Sequence, residues 1–234
     1  MASLTFDIET VGFEGKQLDS LIREDLIKNT ESEEEREGVL ARTGLWPVSG
    51  EVVAIGMLNN ESGKGRVYFQ APAQNFSSKN NEAGQEGIKD YEKDGVEYVV
   101  KDEKGILESF WEDIKFYQEF VTFNGRGFDC PFIVFRSIVH GIKPSRNLMP
   151  NRYYKNEHID LADQLAFYGA FRKFTLQTMC QLFGIKNPKD EGVSGLAVND
   201  LFKNKEYKQI AEYCMRDVVA TGELYGKIKD FLSF

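Results

Sequence analysis

Apolar and polar residues alternate at the start of the chain. Leu4, Phe6 and Ile8 fall on one side and Thr5 and Asp7 on the other, which predicts a strand over 4–8. Charged residues then surround the sparse apolar positions Leu18, Ile22, Leu26 and Val39–Leu40, so 18–43 reads as a charged helical insertion. The β-branched run Glu51–Leu58 predicts a second strand, with Arg66–Gln70 as its hairpin partner. Residues 71–95 are rich in Asn, Gly, Ser and Lys and read as a loop or mobile lobe, followed by a short strand at Glu97–Val100. Helical spacing returns at Gly105–Gln118, where Ile106, Leu107, Phe110, Ile114 and Tyr117 share a face. Phe120–Phe123 reads as a buried strand. Asp129–His140 reads as a helix with Pro131 in its first turn and Gly141 as its stop. A last strand is expected at His158–Leu161, and helices at about 161–168, 174–183 and 206–231. Strands come first and helices gather toward the end, which suggests an α/β fold with a mixed sheet and helices packed on its faces.

The composition supports a globular domain. Of 234 residues 41% are hydrophobic and 28% charged, enough for an ordinary core and too rich for disorder. No apolar run approaches the roughly 18 residues of a membrane span. The opening residues carry acids where a secretory signal needs a basic and then an apolar stretch, so a cytoplasmic location and no membrane partner are expected. Cys130, Cys180 and Cys214 are too far apart for a zinc ribbon or redox dithiol. With only His140 and His158 available, any metal must be held mainly by oxygen, which favours hard cations such as Mg²⁺ or Mn²⁺. The net charge of −8 argues against a general nucleic-acid coat protein, but the charge is uneven. Residues 14–37 are strongly acidic, whereas 124–190 hold ten Lys and Arg against five acids. That asymmetry permits a local basic track for one strand of nucleic acid, and equally a solvated surface.

Three clusters carry candidate chemistry. In Phe6-Asp7-Ile8-Glu9-Thr10, Asp7 and Glu9 are two apart on a strand and point the same way. Two such carboxylates repel unless a cation or proton sits between them. Asn124-Gly125-Arg126-Gly127-Phe128-Asp129 lies between a strand and a helix, with two glycines for a sharp turn. Asp129 at the helix start is either a ligand or a simple cap. Tyr213-Cys214-Met215-Arg216-Asp217 lies inside a helix, where positions i and i+4 share a face, so a phenol and a carboxylate stand together.

Taken together, Asp-x-Glu on the first strand, Asn-x3-Phe-Asp near mid-chain and Tyr-x3-Asp on a late helix resemble the DEDD 3′–5′ exonucleases in order and spacing. The closest likeness is to the proofreading exonuclease domain of B-family DNA polymerases, in the branch with tyrosine rather than histidine in the third motif. The resemblance spans residues 7–217. It implies a single ribonuclease H-like domain over 1–234, a stand-alone form with insertions at about 13–50 and 71–95. It also implies two-metal hydrolysis of a terminal phosphodiester, with the ions, Mg²⁺ or Mn²⁺, about 4 Å apart. Asp7 would bridge both ions, Glu9 and Asp217 would hold the one that binds the nucleophilic water, and Asp129 would help hold the other. Tyr213 would orient the water. A phenol with an ordinary pKa of about 10 is a poor base at neutral pH, which fits that role.

The same resemblance carries Asn124, Phe128 and Thr10 over as substrate contacts, although Phe128 also reads as core. The substrate expected is a single-stranded 3′ end, DNA ahead of RNA. The alternatives are an exoribonuclease and a non-catalytic nucleic-acid-binding member of the fold. Arg146–Lys155 mixes basic and aromatic residues, which suits either base stacking or an ordinary surface loop. Asp160 is either a ligand or the cap of the helix after it. Residues 189–195 read as a flexible loop near the third motif.

Overall fold

The computed structural model describes residues 2–13, 17–72, 87–153, 157–188 and 195–232. Among the described residues seven strands form one mixed sheet: β1 (Ser3–Gly12), β2 (Gly50–Asn59), β3 (Gly65–Phe69), β4 (Tyr91–Lys93), β5 (Val96–Val100), β6 (Glu119–Thr122) and β7 (His158–Asp160). Their order is β4-β5-β3-β2-β1-β6-β7. The pairs β1–β2, β2–β3 and β4–β5 run antiparallel, while β3–β5, β1–β6 and β6–β7 run parallel. The first strand is therefore central, and its alternation sorts side chains between two cores.

On one face, Leu4, Phe6 and Ile8 pack under α3 (Glu103–Ile114) and α4 (Asp129–Val139). Phe6 is fully buried, edge-on to Phe110 at 5.1 Å and tilted against Phe120 at 5.7 Å. Each side chain of this kind contributes about 1.5–3 kcal/mol on leaving water. On the other face lies α8 (Tyr207–Leu232). Ile210, Ala211, Cys214, Met215 and Val218 from its first half cover Val53, Ala54, Val67 and Phe69. Leu224 and Ile228 from its second half join Val121, Ile159 and α6 (Leu176–Phe183) in a third cluster.

Glycine lets α8 sit close. A Cβ on Gly56 of β2 would stand 2.9 Å from Val218 Cγ2 and 3.1 Å from Cys214 Sγ, and one on Gly65 would stand 2.6 Å from Met215 Cε. Gly56 is the register partner of Asp7. One of the two close approaches of the helix is therefore beside the first carboxylate.

One buried carboxylate ties α3 and α4 to the sheet. Glu103 accepts from Arg136 Nε at 2.8 Å and Nη2 at 2.6 Å, from the Val52 N–H of β2 at 2.8 Å, and bonds His140 Nε2 at 2.6 Å. Burial pushes its carboxyl upward, but Arg136, His140 and the Val52 N–H outweigh burial and hold it below the ordinary range.

Several expectations shift. The insertion at 18–43 is two short helices, α1 (Ser20–Ile27) and α2 (Glu33–Leu40), rather than one, and neither has a buried residue. The side chains of Asp19 and Ser32 cap them separately, so the chain breaks between the two. Their apolar positions are too sparse to make a core-facing stripe, and Leu21 is 74% exposed. Within 71–95, residues 91–93 form edge strand β4, while 73–86 lie outside the described residues. The helix expected at 161–168 stops as α5 (Leu161–Leu165), because Phe167 and Tyr168 adopt left-handed backbone. A six-residue helix, α7 (Val198–Lys203), is present where none was expected, being too short to show a period. No helix among the described residues is long and apolar enough to cross a membrane.

Glu103→Ala leaves Arg136 buried without its partner and is expected to cost about 3–5 kcal/mol. For a domain of this size that is a fall in Tm of about 10 °C. An unchanged thermal unfolding curve would contradict the role assigned to this group.

Candidate active site

Asp7 and Glu9 project from β1 toward α8, Asp7 half-buried and Glu9 buried. The parallel pairing of β1 with β6 ends at Thr5–Val121, so the Ile8 N–H has no strand partner on that side. Asp129 fills the gap. It begins α4, and its Oδ1 accepts from Ile8 N at 3.1 Å. Phe128 occupies the cap position, without a side-chain hydrogen bond. Asp129 is thus more than a local helix cap: it spans 121 residues of sequence to the first strand.

The turn ahead of it is built for this. Asn124 takes a left-handed backbone with φ 64°. A Cβ on Gly125 would fall 2.4 Å from Thr122 Oγ1, so only glycine fits there. Asp160, at the carboxyl end of β7, accepts from Asn124 N at 2.9 Å and Arg126 N at 3.0 Å, and from Ala162 N at 3.0 Å and Asp163 N at 3.3 Å. Of the two readings of Asp160, the cap holds, and the same carboxylate clamps the turn before α4. The neighbouring His158 is buried between Thr122 Oγ1 at 2.8 Å and Leu148 O at 3.1 Å, and burial lowers its pKa to about 3. It is therefore a neutral structural imidazole.

Tyr213 and Asp217 lie one turn apart on α8, and the buried phenol hydrogen-bonds the Asp217 carboxylate. Burial first, then the charges of Asp217, Glu9 and Asp7, push the Tyr213 hydroxyl far above its ordinary value, so it stays a protonated donor. Cys214 was not singled out from the sequence. Its Sγ donates to the Asp7 carbonyl at 3.5 Å, and ligand atoms of Asp7, Glu9 and Cys214 all lie within 4.8 Å of one another. Burial and the surrounding acids keep this thiol protonated. It packs in the core beside Asp7 and Glu9; its sequence signal is its place beside Tyr213.

The four acids feel one another. Burial raises the pKa of Asp7 well above the carboxylate range, and Asp129, Asp217 and Glu9 raise it further. Burial raises Asp129 to about 7, helped by Asp160 and Asp217 and opposed by two backbone N–H groups. Such a group cannot ionise fully without positive charge among its members. Asp7 and Glu9 bring ligand atoms within 4.8 Å of each other, the charges of Asp129 and Asp217 reach Asp7, and an oxygen-rich group of this kind is the donor set that hard divalent cations take. The residues present fit that role.

The proposed substrate contacts fare unevenly. Thr10 follows a register shift in β1, and its hydroxyl donates to Gly44 O at 2.7 Å. Phe128 is half-buried on the core, 5.6 Å from the Phe132 ring. The Asn124 amide oxygen accepts from Lys173 Nζ at 3.4 Å. Much of the positive charge counted in 124–190 is committed inside the protein. Arg136 pairs with Glu103, Arg126 donates to Pro150 O at 2.8 Å, and Arg146 donates to the carbonyls of Tyr117 and Gln118. Lys155 and residues 189–194 lie outside the described residues.

Residues 84–232 match a family model described as a predicted 3′–5′ exonuclease related to the exonuclease domain of PolB. A DNA polymerase of Methanocaldococcus jannaschii is 30% identical over 137 residues, which are 53% of this chain and 8% of that protein. DNA polymerase 1 of Sulfolobus acidocaldarius is 30% identical over 148 residues, 56% of this chain and 16% of that protein. The chain thus spans only a small part of either polymerase. Among solved structures, the family B DNA polymerase of Pyrobaculum calidifontis superposes with a TM-score of 0.60 at 17% identity, over 98% of this chain and 25% of that one. The likeness establishes the expected ribonuclease H-like fold.

In EDTA, Asp7→Asn relieves repulsion and is expected to raise Tm by about 2–4 °C; a lower Tm would count against the convergence of charges. Metal-free stability should also depend on pH. Asp129 has a folded pKa of about 7, above its unfolded value, so its contribution is complete below about pH 4 and is lost as pH rises through 7. Melts in EDTA across that window read the slope.

Proposed function

Because the chain belongs to the family of predicted 3′–5′ exonucleases related to the PolB exonuclease domain, we propose that it removes nucleotides from the 3′ end of single-stranded DNA. The observation that supports this reading is the grouping of Asp7, Glu9, Asp129, Asp217 and Tyr213 near enough for their charges to act on one another, with ligand atoms of Asp7 and Glu9 within 4.8 Å of each other. DNA is favoured over RNA because both archaeal relatives are DNA polymerases.

The reaction is hydrolysis of the terminal phosphodiester. Water adds to phosphorus, the bond from phosphorus to the upstream O3′ breaks, and that oxygen takes a proton. A nucleoside 5′-monophosphate and a shortened strand with a 3′-hydroxyl result. Asp7, Glu9, Asp129 and Asp217 would hold two divalent cations, Mg²⁺ or Mn²⁺. When bound, these supply charge neutralisation at the phosphate and acidify water at neutral pH. Tyr213 holds its proton and donates a hydrogen bond to Asp217, so its oxygen accepts a hydrogen bond from the attacking water and orients that water without acting as a base. Asp160 keeps Asn124 and Asp129 in place through the turn between them. Asn124 is the polar contact for the terminal nucleotide, with Phe128 and Thr10 at its margins.

The test is incubation of the purified chain with 5′-labelled single-stranded DNA and RNA, in Mg²⁺, Mn²⁺ or EDTA. Stepwise shortening from the 3′ end that needs a divalent cation is expected, on DNA ahead of RNA. Asp7→Ala and Asp217→Ala should abolish it, and Tyr213→Phe should slow it by about a hundredfold through lost positioning. Products released from the 5′ end, or full activity in Asp7→Ala, would overturn the reading.

A further inference from the structure

Beside Asn124, two segments meet that the hydrolysis described above does not use. One carries Arg152 and Tyr153; the other runs from Phe167 to Lys173, leaving the carboxyl end of the β7–α5 unit. Asp163, buried in the first turn of α5, joins them. Its Oδ2 accepts from Arg152 Nη2 and its Oδ1 from Lys173 Nζ, both at 2.8 Å. Lys173 also reaches the Asn124 amide oxygen, so the pair of segments is continuous with the pocket. The Arg152 guanidinium lies 5.9 Å from the rings of both Tyr153 and Tyr168, whose centroids are 5.3 Å apart.

Large aromatic surface stands open here: Tyr153 is 64% exposed, Phe167 55% and Phe171 60%. The backbone is strained to keep it so. Phe167 and Tyr168 take φ of 48° and 56°, and Gly169 follows at 99°. Two consecutive non-glycine residues in the left-handed region are costly. A turn made only for economy would use Asn or Gly. Exposed aromatics interleaved with cations on one surface match the chemistry of single strands, whose bases offer faces and whose phosphates offer charge.

We propose that this surface is a stacking platform for the strand upstream of its 3′ terminus. Tyr153, Phe167 and Phe171 take the faces of bases, and Arg152 and Lys173 face the phosphates. Asp163 is a positioning residue that holds both cations. The proposal rests on the nucleic-acid reading of the pocket and adds where the strand runs.

The test reads binding separately from turnover. Fluorescence anisotropy is measured in EDTA with the whole chain and a 5′-fluorescein thymidine dinucleotide, hexamer and dodecamer. Wild-type affinity should rise from dinucleotide to hexamer. Tyr153→Ala and Phe171→Ala should each weaken dodecamer binding about tenfold and flatten that rise. Both side chains are exposed, so a Tm within about 2 °C of wild type verifies the fold. Lys173→Gln should reduce the slope of log affinity against log salt by about 0.7, the share of one phosphate on a single strand. A dodecamer of abasic residues should bind about as weakly as the aromatic variants.

Wild-type affinity of both aromatic variants for the dodecamer would overturn the platform and leave this face to a protein partner. Equal binding of abasic and thymidine strands would overturn it too. If the affinity pattern holds but no cation supports strand shortening, the catalytic reading fails and the platform stands. If wild type shortens the dodecamer and KM is unchanged in both aromatic variants, the platform fails and the catalytic reading stands.

Discussion

Mutual repulsion among four carboxylates is the constraint around which this structure is organised. Left to themselves, Asp7, Glu9, Asp129 and Asp217 would move apart or take up protons, and Asp7, which feels the other three, is pushed well above the carboxylate range. The surrounding packing holds them together. Helix α8 is seated against β2 where Gly56 has no side chain, next to Asp7, and its apolar stripe over Val53, Ala54 and Val67 anchors that seat. Helix α4 is fixed at its far end by Arg136 on Glu103 and at its near end by Asp129 on the Ile8 N–H. The turn between β6 and α4 is fixed by Asp160. Each tie uses a group that would be costly to leave unpaired, so each resists the repulsion with more than surface-pair strength.

The same electrostatics separate the roles of neighbouring groups. The acids that raise one another's pKa also keep Tyr213 and Cys214 protonated, so the pocket holds neutral donors beside acceptors. His158 is buried and neutral a short distance away and serves the frame of β6 and β7. Buried acids here thus divide by the partners of their oxygens. Those of Asp160 are occupied by backbone N–H groups, and those of Asp163 by Arg152 and Lys173. Asp7 is surrounded instead by other acids, which is why it belongs to the candidate metal set and they do not.

Much of this was legible in the residue pattern because it depends on local periods. Alternation along 4–8 placed Asp7 and Glu9 on one face of a strand, and the helical period placed Tyr213 over Asp217, since each relation is set by backbone geometry within a few residues. Spacing among the three clusters pointed to an exonuclease-like fold. The extent of β1 beyond Ile8 and the end of α5 were less legible. The first is set by pairing with β2, and the second by the left-handed backbone at Phe167 and Tyr168.

What the sequence determined by itself was chemical: a donor set made mainly of oxygen, a phenol one turn from a carboxylate, and a strand to carry the first pair. Only the tertiary structure decided which charges remained for a ligand. The count of cations in 124–190 permits a local basic track or a solvated surface, yet Arg126, Arg136 and Arg146 turn inward to backbone carbonyls or Glu103. It also decided that Asp160 is a clamp, that Thr10 bonds the Gly44 carbonyl, and that α1 and α2 of the insertion at 18–43 bury no residue. The physical reason is the same in each case. Local propensity fixes which way a side chain points, but its partner is chosen by whichever distant segment the packed core brings alongside, and that choice has no local period to read.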